Sequence, residues 1–339
     1  MLSQFSRRLG AHVRRPLLVS VLVLALVLAA VSPALAASAT SVRIRIEGTG
    51  GTVFSGVKTV APTTITDSTG GLHDAGVSAM AALAVAARLG AFPYVIRDTV
   101  YGLSVDSVNG ESFVPAPPYP GWSYRVNGVS LPFASDQATL TSGADVLWYY
   151  GAWDASPTVA TLSSSIVKTG ASLTVTAKQL DMDGVATPLA GAIVHIGSRT
   201  ATSTANGTVT LPMSAVGDYG VRVEKDGCIR SAVSTVHVRN ATSIAGPTVT
   251  RPSIKRGATS VVRGVLAAGS SKLAGRTVTL WHRAKGSAEW VAGRTATTGV
   301  LGGAAFTVRP GVSTYYRIAY SGSATFAPAT SAAALVTVR

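Results

Sequence analysis

The chain has 339 residues, of which 47 % are hydrophobic and 13 % charged, and a formal net charge of +14. One hydrophobic core stops growing near ~250 residues, so two or three domains are expected. The apolar content and low charge exclude a disordered chain.

The first segment reads as an export address. Arg7, Arg8, Arg14 and Arg15 precede an apolar run from Leu17 to Val31, and Ala34-Leu35-Ala36 offers a cleavage site. That order predicts a secretory signal peptide over residues 1–36 and a secreted or cell-surface protein. The run is shorter than the ~20 residues of a spanning helix, so no transmembrane helix is expected in the mature chain.

Residues 42–153 mix two periodicities. Val42 to Ile46 alternates apolar with charged, as a half-buried strand does. Asp74 is placed to cap a helix from Ala75 to Leu89, with Val77, Met80, Leu83 and Ala84 on one face. Strands are predicted at Tyr94–Ile96, Gly102–Val108, Ser123–Val126 and Val146–Tyr150. One helix on a small sheet makes this an α+β domain of β-grasp-like form.

Residues 157–239 and 248–339 read as two related β-sandwiches of Ig-like form, so the chain as a whole is mainly β and multidomain. Ile166 to Ala171 matches Ser253 to Ala258, Pro188 to Gly191 matches Lys272 to Gly275, and Tyr219 to Val223 matches Tyr315 to Ala319. A period near one domain length indicates tandem modules. Linkers are expected near Asp154–Pro157 and Asn240–Pro247.

Charge is unevenly placed. Without the export segment the net charge is +10, and residues 42–153, 154–240 and 241–339 carry −2, +1 and +11. The last module is therefore expected to contact an anionic cell-envelope polymer or a surface protein through Arg251, Lys255, Arg256, Arg263, Lys272, Arg276, Arg283 and Lys285. Export argues against nucleic acid as the natural partner.

Seven Tyr and Trp side chains fall within 35 residues, from Tyr119 to Trp153. Period-two alternation puts Trp122, Tyr124 and Val126 on one strand face, and Val146, Trp148 and Tyr150 on one face of another. One face is expected to be core. The other, with the Pro115–Pro120 loop, is expected to present rings to a ligand. The candidate contacts are Tyr119, Trp122, Tyr124, Trp148, Tyr149 and Tyr150.

No catalytic residue is predicted. His73, His195, His237 and His282 lack zinc-site spacing, so no metal site is expected. Ser165-Ile166-Val167-Lys168 and Lys168-Thr169-Gly170 match two serine acyl-enzyme motifs, but one lysine would have to serve both. Asp181 to Gly184 reads as a plain turn. The lone Cys228 reads as a half-buried thiol at a strand end. A non-enzymatic protein is expected.

The run Pro120-Gly121-Trp122-Ser123-Tyr124-Arg125-Val126-Asn127-Gly128, followed by Asp145-Val146-Leu147-Trp148-Tyr149-Tyr150-Gly151, resembles the transcobalamin-like C-terminal domain family. Val42 to Val53 with Phe54-Ser55-Gly56, the Ala-rich helix and Tyr101-Gly102 fit the same pattern, so the resemblance covers about residues 42–152. It implies an exported protein joined to surface modules. In vertebrate cobalamin carriers such a domain closes over the corrinoid opposite a helical barrel, and this chain shows no such barrel. Thr187–Gly191 and Glu224–Gly227 resemble carboxypeptidase-regulatory or bacterial Ig-like repeats, and the last module resembles Ig-like repeats of exported actinobacterial proteins. The expectation is an exported modular binding protein of the bacterial surface. A small planar ligand such as a corrinoid (cobalamin) is the one cofactor-like molecule implied. A structural adhesin without small ligand is the other reading.

Overall fold

A computed structural model describes residues 38–339, so the export segment over 1–36 lies outside the described residues. Among them the chain is mainly β, with one short helix. Its first sheet joins β1 (Thr40–Glu47), β2 (Thr52–Val60), β8 (Gly121–Val126) and β9 (Asp145–Gly151) in the order β2-β1-β9-β8. The central pair is parallel, from Arg43 opposite Asp145 to Glu47 opposite Tyr149. Between β2 and β8 run β3 (Thr64–Thr66), β4 (Leu72–Asp74), the helix α1, and the three-stranded sheet of β5 (Tyr94–Thr99), β6 (Gly102–Val108) and β7 (Glu111–Ser112).

α1 spans Ala79–Gly90 and starts later than capping by Asp74 predicts. Asp74 instead ends β4, where its carboxylate accepts the Gly76 N–H at 2.9 Å. Ser78 is the cap, and its Oγ accepts the Ala81 N–H at 3.2 Å. From Ala79 to Ala87 only Ala84 is not buried. Small side chains let the first sheet approach on one side while Ile96, Leu103, Val105 and Leu140 close the others. The helix is thus wrapped all round.

Each of the other two modules packs two sheets around its own core. In the first, the sheet holding Ser156–Leu162 and Ser172–Leu180 faces the one holding Ile193–Ile196, Gly217–Glu224 and Ser234–Arg239. In the second, the sheet of Ser243–Val249, Ser260–Ala268 and Gly303–Val308 faces that of Thr277–Ala284, Thr314–Tyr320 and Ala334–Val338. The sequence repeat has a structural counterpart. The Leu189 N–H donates to Ala177 O at 3.0 Å, and the Leu273 N–H to Leu266 O at 3.1 Å. Ser203 Oγ and Thr298 Oγ1 donate to the carbonyls of Leu189 and Leu273, each at 2.6 Å. Gly207 and Gly302 close both turns at φ +73° and +70°, where a Cβ would lie 2.3 Å from Ala177 O and Leu266 O.

Neither junction is a free linker. Pro157 is buried within the strand Ser156–Leu162, and the strand Ser243–Val249 begins inside the expected second linker. The Asn240 N–H donates to Thr325 O at 2.9 Å, the Ala327 N–H to Asn240 O at 2.9 Å, and Thr242 Oγ1 to Ala327 O at 2.6 Å. The chain at both junctions satisfies its backbone groups within the fold, as buried backbone must.

Candidate functional site

The alternation in β8 and β9 places the rings as their sequence spacing requires. Trp148 packs under α1, its Nε1–H donating to Ala79 O at 3.1 Å. Tyr124 lies beside it, ring centroids 5.4 Å apart, and Trp122 meets Tyr150 edge-on at 5.6 Å. Each polar end is used inside the fold: Trp122 Nε1–H donates to Glu111 O at 2.8 Å, Tyr124 Oη to Phe133 O at 2.7 Å, and Tyr150 Oη to Ser112 O at 2.7 Å. Burial, with the Asp136 carboxylate adding to it, pushes the Tyr124 phenol up to about 12.

The opposite face of these strands is not open, and this corrects the expectation that it presents rings. Leu147 and Tyr149 pack on Ile229 of the following module. Tyr149 is fully buried, donates to Trp153 O at 2.6 Å, and is shifted upward chiefly by burial. Tyr149 and Trp148 are therefore core side chains, closed to a ligand in this arrangement.

Two charged clusters complete that joint. Arg125 is 0 % exposed. It donates to Gly128 O at 3.1 Å, to Ala155 O at 3.1 Å and to Asp181 O, with Met182 Sδ 3.4 Å away. Asp181 to Gly184 is a plain turn, its carboxylate accepting the N–H groups of Asp183 and Val185 at 3.0 and 2.8 Å. At the other end Glu47, 2 % exposed, accepts from Arg45 at 3.1 Å and Thr52 Oγ1 at 2.9 Å. Arg230 Nε lies 3.0 Å from the second Glu47 oxygen, off the hydrogen-bond direction.

The accessible aromatic surface lies elsewhere. A groove of about 870 Å³ runs between β6, β8 and the 130–137 loop. Its open rings are Tyr101 at the β5–β6 turn, Phe133 and Trp153, with Tyr101 83 % and Trp153 69 % exposed. Trp122 and Tyr124 form its floor. A smaller hollow of about 410 Å³ shares Trp122, Ser123 and Trp153 and adds Phe113 and Tyr119, the exposed ring of the proline loop. Ser135, 3 % exposed, lines the larger groove, and its Oγ has no hydrogen-bond partner among the described residues. Of the six predicted contacts, Tyr119, Trp122, Tyr124 and the buried Trp148 line these hollows, whereas Tyr150, packed on Trp122, borders a separate hollow at the domain joint. Tyr101, Phe133 and Trp153 were missed; their signal was a large ring in a turn or beyond a strand end, where no core can take it.

The eight basic residues predicted as one contact do not share a face. Arg263 and Lys272 lie on one sheet of the last module and Arg283 on the other, because the chain crosses between sheets after Lys272. Arg251, Lys255, Arg256 and Lys285 are exposed, and Arg276 lies half-buried with its guanidinium carbon 5.3 Å from the Phe326 ring centre. Among the described residues, every carboxylate ion pair lies at or before Arg239. The cations of the last module are unneutralised.

His73, His195 and His237 each pair with a carboxylate, Asp67, Glu224 and Asp218, at 2.7, 2.9 and 2.9 Å. Cys228 is half-buried, with its thiol pushed up by burial. No group of three possible metal ligands converges among the described residues. No helix among them is long and apolar enough to cross a membrane.

No family model and no curated protein matches the chain. Among solved structures, trypsin-activated alpha-2-macroglobulin from Escherichia coli is similar over 54 % of this chain at 12 % identity and a TM-score of 0.23. The chain spans only 16 % of that protein's length. Fibronectin(III)-like modules of Clostridium thermocellum CbhA match 53 % of this chain and 95 % of their own at 14 % identity and 0.27. The Yersinia pseudotuberculosis adhesin InvE matches 54 % and 58 % at 16 % identity and 0.22. At such TM-scores these likenesses decide nothing about function.

Proposed function

We propose that this chain is an exported, non-catalytic modular binding protein of the bacterial cell surface. The first domain, α+β and β-grasp-like, takes a ligand with a flat apolar face. The two Ig-like modules act as spacer and as contact to an anionic envelope polymer. The observation that carries this reading is the open groove of Tyr101, Phe133 and Trp153 over a floor whose own polar groups are already satisfied. Its size lies within the range of ligand pockets, and rings around a few polar groups are the usual lining. Ser135 Oγ is an unspent polar group for orienting the ligand.

The resemblance to transcobalamin-like domains makes a corrinoid the first ligand to try. The test is calorimetry of residues 37–339 with cyanocobalamin, repeated with Trp153→Ala and Tyr101→Ala. Heat that both substitutions reduce supports the corrinoid version. No heat at high micromolar ligand removes that version. Native mass spectrometry against envelope extracts then tests the wider reading. A ligand retained equally by wild type and both variants would refute the groove.

A further inference from the structure

The outer face of one sheet in the last module carries a stack that charge counting does not reveal. Trp281 and Arg283 project from the strand Thr277–Ala284, and Tyr315 and Arg317 from Thr314–Tyr320. The register sets Trp281 opposite Arg317 and Arg283 opposite Tyr315. Leu280, Tyr316 and Ile318, their immediate neighbours in sequence, point into the core, so these four point outward. Trp290, just before the next strand, lies across both arginines. The Arg317 guanidinium carbon is 4.2 Å from its ring centre and 5.7 Å from that of Trp281. The Arg283 guanidinium carbon is 5.1 Å from Trp290 and 5.0 Å from Tyr315. Three rings and two guanidinium groups alternate: Trp281, Arg317, Trp290, Arg283, Tyr315.

A guanidinium held by its faces can donate only from its edges. Arg283 spends one edge donor on Ser287 O at 2.7 Å. No carboxylate pairs with either arginine among the described residues. The two guanidinium carbons share one ring neighbour, at 4.2 and 5.1 Å, so they are less than 10 Å apart. Both side chains are ordered before any ligand arrives, which removes part of the entropy cost of binding.

We propose that this stack is a binding strip for a phosphodiester polymer of the cell envelope. It deepens the envelope contact proposed above and rests on it. The guanidinium edges offer paired donors that match the two unesterified oxygens of a phosphodiester. Two such forks less than 10 Å apart can meet neighbouring phosphates of one chain. The carboxylate comparison in the experiment decides between the two anions.

The experiment measures binding of residues 37–339 to poly(glycerol phosphate), with polygalacturonate as the carboxylate comparison, at 0.15 M salt. Arg317→Gln should weaken poly(glycerol phosphate) binding about tenfold, as loss of a charge-assisted contact does. Arg317→Lys keeps the charge but loses the planar fork and should also weaken it by several-fold. Trp290→Ala removes no charge and should weaken it too, while Trp290→Phe restores most of it. Arg309→Gln, just past the strand Gly303–Val308 of the opposite sheet, should change it less than about twofold. Equal losses for Arg309→Gln and Arg317→Gln, with no effect of Trp290→Ala, would overturn the strip and leave a general envelope contact by net charge. No binding by wild type would remove both. Tighter binding of polygalacturonate would overturn the choice of phosphate.

Discussion

Arg125→Ala tests the joint between the first domain and the module after it. The side chain reaches three carbonyls, Gly128 O, Ala155 O and Asp181 O, from a fully buried position. Asp181 O also accepts the Gly184 N–H at 3.2 Å, so two carbonyls lose the donor seen here. Each buried acceptor left alone costs ~1–3 kcal/mol, giving about 2–6 kcal/mol before any relief. Release of the guanidinium's own desolvation cost offsets part of this. The expected net loss lies at the lower end of the range, about 2 kcal/mol, or between one and two decades in the folded-to-unfolded ratio. Urea unfolding of residues 37–339, followed by tryptophan fluorescence and far-UV circular dichroism, is the assay. The first domain should melt with its neighbour in wild type and separately, at lower urea, in the variant. Arg125→Met, which keeps the stem, should lose nearly as much. A loss below ~0.5 kcal/mol with unchanged coupling would show that apolar contact of Tyr149 with Ile229 alone makes the joint.

Tyr149→Ala should cost ~3–5 kcal/mol, as large-to-small changes in a core do, whereas Tyr101→Ala should stay within ~0.5 kcal/mol; denaturant titration of both variants checks this. Asp67 is held below the ordinary carboxylate range, first by His73, then by Thr69 and the Gly71 N–H. A depressed folded value gives stability that is present above the unfolded value of 3.8 and lost as pH falls through the folded one. Thermal midpoints measured from pH 7 to pH 2 should therefore fall less steeply for Asp67→Asn than for wild type, and equal slopes would count against the assignment. Edman sequencing of protein from the medium or envelope should begin at Ala37, while intact Met1 in a membrane fraction would mean an uncleaved anchor.

Much of the arrangement was legible because it depends on short-range periodicity. The alternation of Val146, Trp148 and Tyr150 sorted side chains into two sets, and β9 keeps those sets. The pairing of Leu189 with Leu273 and Gly191 with Gly275 marked one turn used twice. Alternation states which residues share a face but not what covers it, so Tyr149 read as a surface ring. The helix start was misplaced because Asp74 and Ser78 both have the chemistry of a cap, and only the β3–β4 pairing claims the first. The arginine stack needed the register between Thr277–Ala284 and Thr314–Tyr320. Its trace in the sequence was an aromatic two residues before an arginine in each strand, as Trp281 with Arg283 and Tyr315 with Arg317.

The parity of β8 also decides how the two proposed binding surfaces relate. Its even residues, Trp122 and Tyr124, floor the groove, and its odd residue Arg125 is spent on the neighbouring module. One strand therefore lines the proposed groove on one face and attaches to the next module on the other, so the groove is fixed against a folded support. Between the last two modules the bonds are backbone and hydroxyl contacts at Asn240, Thr242 and Ala327, without an ion pair among the described residues. The arginine stack lies on a module whose core is separate from that of the groove. Energetic coupling needs contiguous packing or a shared two-state element. A joint of these few hydrogen bonds supplies neither, so ligand in the groove and polymer on the stack should bind independently.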